Sequence, residues 1–551
     1  MKIFDDRMII ISNDVSKIIL FFFLSILFCQ PDPKFGPFDW VLYKGSGEIT
    51  SITEGYTYTY VGTKFGGLKR FNQFGNYFDD PITIAQGLKD NFITSTYFDQ
   101  NTGLIWVATP KHLQYSFSRE GNWFDQKLIH LGLSNSDRIK RIGSTDNFIW
   151  LQARSSFVKV DNTTGSLIGI YSKPDELEIN WGSTHYQSQT NFKKIFLTYH
   201  ILDGWIFINN SLMDQLGRLN SITACLLGKH GNVYFGTEDG RLFFGSSTME
   251  TLHPINPDIE NVDVNTIFEN ENYFWIGSQD YVTSKGISRI DLNSKTSQTF
   301  LFEETINMVP STIYSLHYSN KELWAGGENI ILYYNQNKDY WQTLTDSRGF
   351  TSGSIWDLCA ENDHLWIGSS NGLSRLVLST KKTDPIGIEQ YFNNIPVYDI
   401  ELIQNKIWIG ARNGLFIYSH HDPQLVRAED FGIKNFSEQI YYATSIKNYN
   451  QFCYIVTDLG IVRFDFDRNE WDLIFPKAIY QNKIVHSLAV NNRFLFLGTE
   501  SGLIRIEIKT GLIKDYFYEF IGRVNDIVLR ENQIWLGTKN GLVEFKWKKD
   551  L

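Results

Sequence analysis

One short motif returns along almost the whole chain, and its period constrains the fold more than any other feature. The plainest copies read Leu365-Trp366-Ile367-Gly368-Ser369-Ser370-Asn371-Gly372-Leu373, Ile407-Trp408-Ile409-Gly410-Ala411-Arg412-Asn413-Gly414-Leu415 and Ile534-Trp535-Leu536-Gly537-Thr538-Lys539-Asn540-Gly541-Leu542. Fainter copies extend the series to twelve aromatic anchors: Tyr60, Trp106, Trp150, Phe196, Tyr234, Trp275, Trp324, Trp366, Trp408, Tyr454, Phe496 and Trp535. They stand 38 to 49 residues apart. A unit of roughly 40–50 residues made of short strands is the size of one four-stranded propeller blade.

Each unit has the same internal order. An alternating segment such as Val485-His486-Ser487-Leu488-Ala489-Val490 comes first, then a polar break, then the aromatic strand. In the best copies an Asn-Gly hairpin follows, whose residues accept the positive φ of a tight turn. A third strand returns as in Gly502-Leu503-Ile504-Arg505-Ile506, and a less regular fourth leads onward. The anchor aromatics are expected to pack between neighbouring sheets, and the glycine two places later to let the next backbone approach closely. With 42% hydrophobic and 15% aromatic residues, the composition is that of globular, strand-rich material.

The expected fold is therefore all-β: tandem β-propellers of four-stranded blades, about twelve in all. Propellers usually carry four to eight blades, so two rings are expected, six plus six or seven plus five, over residues 38–300 and 301–551. The longest interval, Trp275 to Trp324, reflects an expanded hairpin within 279–285 and marks no junction. The last unit stops after its third strand, Gly541–Trp547, while Phe38-Asp39-Trp40-Val41-Leu42-Tyr43 is a strand without a unit. These two are expected to pair and seal the final blade, leaving no long free edge.

The first thirty residues are different in kind. Lys17 precedes the apolar run Ile18–Cys29, and Gln30-Pro31-Asp32-Pro33 follows. Twelve such residues are too few to span a bilayer as a helix and suit the core of a secretory signal. Residues 1–29 thus read as a signal peptide or lipoprotein signal, and 30–37 as a short linker. Cys29 stands where a lipoprotein carries its acylated cysteine, although Phe28 occupies a place usually held by a small residue; a signal cut elsewhere and an uncleaved anchor are the alternatives. The expected location is the periplasm or cell surface, with an outer-membrane lipoprotein as one form. A net charge of −10 without any Lys/Arg cluster excludes the footprint of a nucleic-acid binder. Cys225, Cys359 and Cys453 lie far apart in strand segments without metal spacing, and are expected as buried free thiols.

The pattern Leu/Ile-Trp-Ile-Gly-Thr/Ser-x-Asn-Gly-Leu-x-Arg resembles the two-component-regulator propeller repeat. Gly87-Leu88-Lys89-Asp90-Asn91-Phe92-Ile93 is similar to the family's pre-strand loop, and Gly132-Leu133-Ser134-Asn135 partly so. The resemblance runs from about residue 36 to 551. It implies a propeller of the kind found in bacterial extracytoplasmic sensor regions, here without the transmembrane helix and kinase that often follow.

Chemistry is harder to find. The sequence holds no nucleophile elbow, zinc-protease motif, Walker loop or EF-hand loop. His420-His421-Asp422 is the densest group of metal-ligand types and reads as a solvated turn, as do the acidic pairs Asp175-Glu176 and Glu303-Glu304. No catalytic residue, metal or cofactor is expected. The polar residues at one place in the first strands, Ser315, Asp357, Asp399, Ser487 and Asp526, are expected to hydrogen-bond between blades or to line a central channel. Aromatics outside the repeat positions, Trp123, Trp181, Trp205, Trp356 and Trp471, are the candidates for stacking on a ligand. The function expected is an exported, non-enzymatic recognition or sensing module for a glycan, peptide or partner protein, with a membrane signalling or secretion component as a further partner. A propeller-type polysaccharide or lactone lyase and a scaffold of an envelope or secretion assembly are the alternatives.

Overall fold

The computed structural model describes residues 32, 34–183, 190–246, 248–256, 259–270, 273–278, 286–292, 297–345, 349–419 and 424–551. The leader with Cys29, the hairpin 279–285 and His420-His421-Asp422 lie outside the described residues. Eleven sheets follow one another along the described residues, most of them four-stranded, and all antiparallel except for one parallel edge pair in each of two. We number them blades 1 to 11: residues 49–82, 95–127, 141–181, 200–255, 266–301, 315–345, 355–383, 397–427, 433–476, 485–516 and 524–545. This is the tandem propeller architecture that the repeat predicts.

One anchor departs from the pattern. Phe196 lies in a helix, Thr190–Thr198, instead of an aromatic strand. Apolar residues at 192, 195 and 196 follow a helical period, which overrides the spacing argument here. Its ring stacks on Phe207 at 4.6 Å and touches Phe235 at 4.3 Å. The hairpin Ile206–Ile208/Ser211–Met213 then adds to the long first strand of blade 4, Leu219–Leu227, and makes no sheet of its own. The stretch expected to hold a twelfth unit thus enlarges blade 4, and eleven blades stand among the described residues.

The innermost strands of blades 5 to 11 neighbour one another in order, and blade 11 meets blade 5 again, closing a ring of seven. In the first four blades, the innermost strand of blade 4 neighbours that of blade 1, which leads to blades 2 and 3. Their interior is occupied by chain: Asn180-Trp181 pairs with the first strand of blade 3, and Ser183 Oγ accepts from Ile52 N. The passage between the two groups falls between Ile255 and Thr266, earlier than a division after residue 300.

The seal expected at the ends is present. Trp40–Tyr43 pairs antiparallel with Gly541–Phe545, with Trp40 opposite Phe545 and Tyr43 opposite Leu542. The Trp40 and Phe545 rings stack 3.6 Å apart within 8° of parallel. Blade 11 is therefore built from both ends of the described chain. The chain then enters blade 1 beside the segment by which it later returns, since Gly45 N donates to Asn261 O at 2.8 Å.

The repeat residues form the scaffold. Trp106, Trp150, Trp324, Trp366 and Trp408 are wholly buried. Many anchors face a cation on the third strand: Trp366 opposes Arg375, Trp275 opposes Arg289 and Trp150 opposes Lys159. Arg375 in turn holds Asp384 at the blade's outer side. Such cation–π pairs contribute about 0.5–2 kcal/mol each. Asp175 and Glu176, expected as a solvated turn, complete one of these ladders. Glu176 accepts from the Trp150 indole at 3.1 Å and pairs with Lys159 at 2.6 Å. Glu304 likewise pairs with Arg218 across the two groups of blades, while Glu303 is exposed. The repeat glycine does give room: a Cβ on Gly326 would lie 2.8 Å from the carbonyl oxygen of Ile355 in the next blade. Cys225, Cys359 and Cys453 are all buried, and Cys359 and Cys453 are free thiols. Among the described residues no helix is long and apolar enough to cross a membrane.

Candidate functional site

A cavity of about 900 Å³ is the central channel of the seven-blade ring. Its wall is made by the first strand of each blade, so one side chain per blade appears at each level. Two levels matter.

The upper level is created by a repeated backbone irregularity. In blades 7 to 11 the pairing slips by one residue between Ile355/Asp357, Val397/Asp399, Ala443/Ser445, Val485/Ser487 and Val524/Asp526. A bulge re-aims the extra residue and locally ends regular pairing. The residues so placed are Trp356, Tyr398, Thr444, His486 and Asn525, all lining the channel. Tyr314 and Asn265 hold the corresponding place in blades 6 and 5. Three successive blades thus present Tyr314, Trp356 and Tyr398, and the Trp356 and Tyr398 rings stack at 5.3 Å and 11°. The opposite arc is polar. There Arg523 Nε donates to Asn525 Oδ1 at 2.6 Å. His486 is held below the ordinary histidine range, first by burial and then by Arg523.

One residue further in, the wall turns acidic. Asp357 Oδ2 accepts from Ile400 N and Asp399 Oδ2 from Ile446 N, both at 2.6 Å; Asp526 Oδ2 accepts from Ile267 N at 2.9 Å. Each bond crosses to the next blade. Ser315 Oγ donates to Ile355 O at 3.2 Å in the same sense. These side chains therefore do both things expected of them, stitching blades together while lining the channel. Ser487 lines it too, with no hydrogen-bond partner for its hydroxyl among the described residues.

Deeper still, Lys447 stands 3.9 Å from Glu401. Burial alone would depress its ammonium, but Asp399, Glu401, Asp357 and Asp526 hold it charged, above the ordinary lysine range. Burial pushes Asp357 well up, and the neighbouring Asp399 carboxylate pushes it further. Glu401 and Asp526 are raised chiefly by burial. His317 is lowered to about 4 by burial, and its neutral Nε2 accepts from Ala360 N at 3.2 Å. Among the described residues no group of His, Cys, Asp and Glu has the geometry to hold a metal ion.

Of the five candidate aromatics, Trp356 alone lies at this site. Trp471 is 1% exposed inside blade 9, with its indole donating to Phe431 O, and offers no surface to a ligand. Trp123 packs against the core between blades 1 and 2. Trp181 is half-buried with the Arg141 guanidinium 4.1 Å above its ring. Trp205 is 5% exposed and lines a separate cleft of about 330 Å³, beside Arg218 and Glu304. Sequence reasoning missed Tyr314, Tyr398 and the Glu401–Lys447 pair. Their signal was positional: each holds the place immediately before, or two after, the recurring polar residue of the first strand.

Comparison with known proteins adds the following. No protein-family model matches the sequence, and no curated protein sequence matches it. Among solved structures, the extracellular domain of a protein assigned as a hybrid two-component system of B. thetaiotaomicron aligns at 14% identity and a TM-score of 0.43, over 90% of this chain and 70% of that one. A second such domain from the same organism aligns at 16% identity and 0.43, over 90% and 68%. PorZ, a surface component of the type-IX secretion system of Porphyromonas gingivalis, aligns at 12% identity and 0.38, over 92% and 87%. At this level the likeness is one of general architecture.

Proposed function

We propose that the protein is an exported recognition or sensing module, related to the extracytoplasmic propeller sensors its repeat resembles, which binds its ligand at the mouth of the seven-blade channel. One observation carries this reading: in blades 7 to 11 the bulged position offers five different side chains on an otherwise repeated scaffold. Binding residues characteristically vary on a frame that stays constant. The stacked Trp356–Tyr398 pair supplies a large, rigid contact face at little cost in conformational entropy. The carboxylates beneath are engaged by backbone N–H groups of the next blade, which suits positioning better than proton transfer.

Export rests on the apolar run 18–29 and the polar segment after it. The ligand classes open to such a mouth are a glycan, a peptide or a segment of a partner protein. The test is a screen of the full chain against envelope-derived glycans and peptides, repeated with Trp356→Ala and Tyr398→Ala. Ligands binding at this mouth should lose at least tenfold in affinity in both variants while the melting temperature holds. Retained affinity in both would place recognition elsewhere.

A further inference from the structure

Recognition at the mouth leaves open which chemical group enters the channel, and the wall has a definite charge. Below the aromatic arc stand Asp357, Asp399, Asp526 and Glu401, against two cations, Lys447 among them and Arg523 on the polar arc of the mouth. Asp357 and Asp399 directly follow Trp356 and Tyr398 in the chain and line the same cavity. A cleft with low-dielectric walls and one prevailing sign focuses its field outward. Aromatic faces add to that preference, because their quadrupoles attract cations.

Resting on the recognition reading, we infer that the channel mouth takes a cationic side chain: a lysine or arginine presented by a peptide or partner-protein segment, stacked between Trp356, Tyr398 and Tyr314 and directed at the carboxylates below. An ammonium or guanidinium there would meet the negative charge that Lys447 and Arg523 leave unbalanced. A neutral sugar would use the rings and leave that imbalance in place.

The site should also respond to pH. Asp357 interacts with Asp399 from blade 8, Lys447 from blade 9 and Cys359 from its own strand; Glu401 from blade 8, Asp526 from blade 11 and His317 from blade 6 line the same channel. Burial and Asp399 keep the Asp357 carboxyl protonated above its ordinary range. An entering cation favours the ionised form, so its binding should strengthen as pH rises, and the loss of charge at His486 on the rim acts in the same direction.

Isothermal titration calorimetry of the full chain with a blocked tetralysine peptide, and separately with an uncharged β-linked hexasaccharide, tests the inference. The peptide should bind saturably, several-fold more tightly at pH 8 than at pH 5, and more weakly as salt is added. Trp356→Ala should weaken it at least tenfold. Asp357→Asn should do the same while keeping an acceptor for Ile400 N, and thermal melting checks that each variant is folded. Hexasaccharide binding that depends on Trp356, without peptide binding, would overturn the cationic assignment and leave recognition at the mouth standing. Peptide binding that neither variant weakens would overturn the assignment to this channel. Failure of both probes at millimolar concentration would overturn both readings.

Discussion

Asp526 Oδ2 accepts a hydrogen bond from the backbone N–H of Ile267, 2.9 Å away and 259 positions distant in the chain. It joins the last blade of the seven-membered ring to the first by the same contact that joins blade 7 to blade 8 and blade 8 to blade 9. Asp526→Ala removes the side-chain acceptor of that amide at the seam between two blades. The expected cost is about 1–3 kcal/mol, read as a lowered denaturant midpoint with near-native spectra. Asp526→Asn, which keeps an acceptor, should lose less.

The terminal seal should be more sensitive. Trp40 is 1% exposed and stacked on Phe545, with Tyr516 and Phe520 also in contact. Trp40→Ala removes a large buried ring and opens a cavity, at an expected cost of about 3–5 kcal/mol. Hydrogen exchange should show the loss of protection centred on 541–545.

Gly326→Ala tests the role of the repeat glycine. The added methyl would stand 2.5 Å from Ser315 Oγ and 2.8 Å from the Ile355 carbonyl oxygen. The oxygen belongs to the next blade's backbone, so relief requires the two blades to move apart. Overpacking of this kind costs about 1–3 kcal/mol, and a chemical melt of the variant measures it.

His317 provides a pH test with a defined sign. Its folded-state pKa, about 4, lies below the ordinary 6.5. The unfolded chain therefore binds the extra proton first, and stability falls as pH drops from about 6.5 toward 4. The raised carboxyl of Asp357 contributes in the opposite sense, losing stability as pH rises, so the comparison must be differential. His317→Gln should flatten the acid limb relative to the parent in urea melts at stepped pH. An unchanged slope would remove His317 from the acid response.

The fold was legible because a blade is local. Leu365 to Leu373 holds an aromatic, a glycine and an Asn-Gly turn within nine residues, and each has a physical role that repeats with it. Phe196 shows where this reasoning fails: the spacing was right, yet a helical period of apolar residues governed the local structure. Trp471 shows a second failure, since an aromatic outside the repeat positions was buried in its own sheet. Trp356 was visible as an aromatic, but nothing local joined it to Tyr314, 42 positions earlier, or to Tyr398, 42 positions later. That relation exists only once the ring is closed and a bulge sets one residue per blade at the same height. Lys447 and its four carboxylates come from four different blades and meet for the same reason.

The pairing of the two chain ends has a consequence for biosynthesis. Tyr43 and Glu544 share a hydrogen bond across 501 positions. At about 5–20 residues per second, the strand that seals the large ring waits some 25–100 s on the ribosome for its partner. Blades 1 to 4 are made in that interval and can assemble as they appear. Until translation has passed Phe545, Trp40 and its neighbours lack the strand that pairs with them.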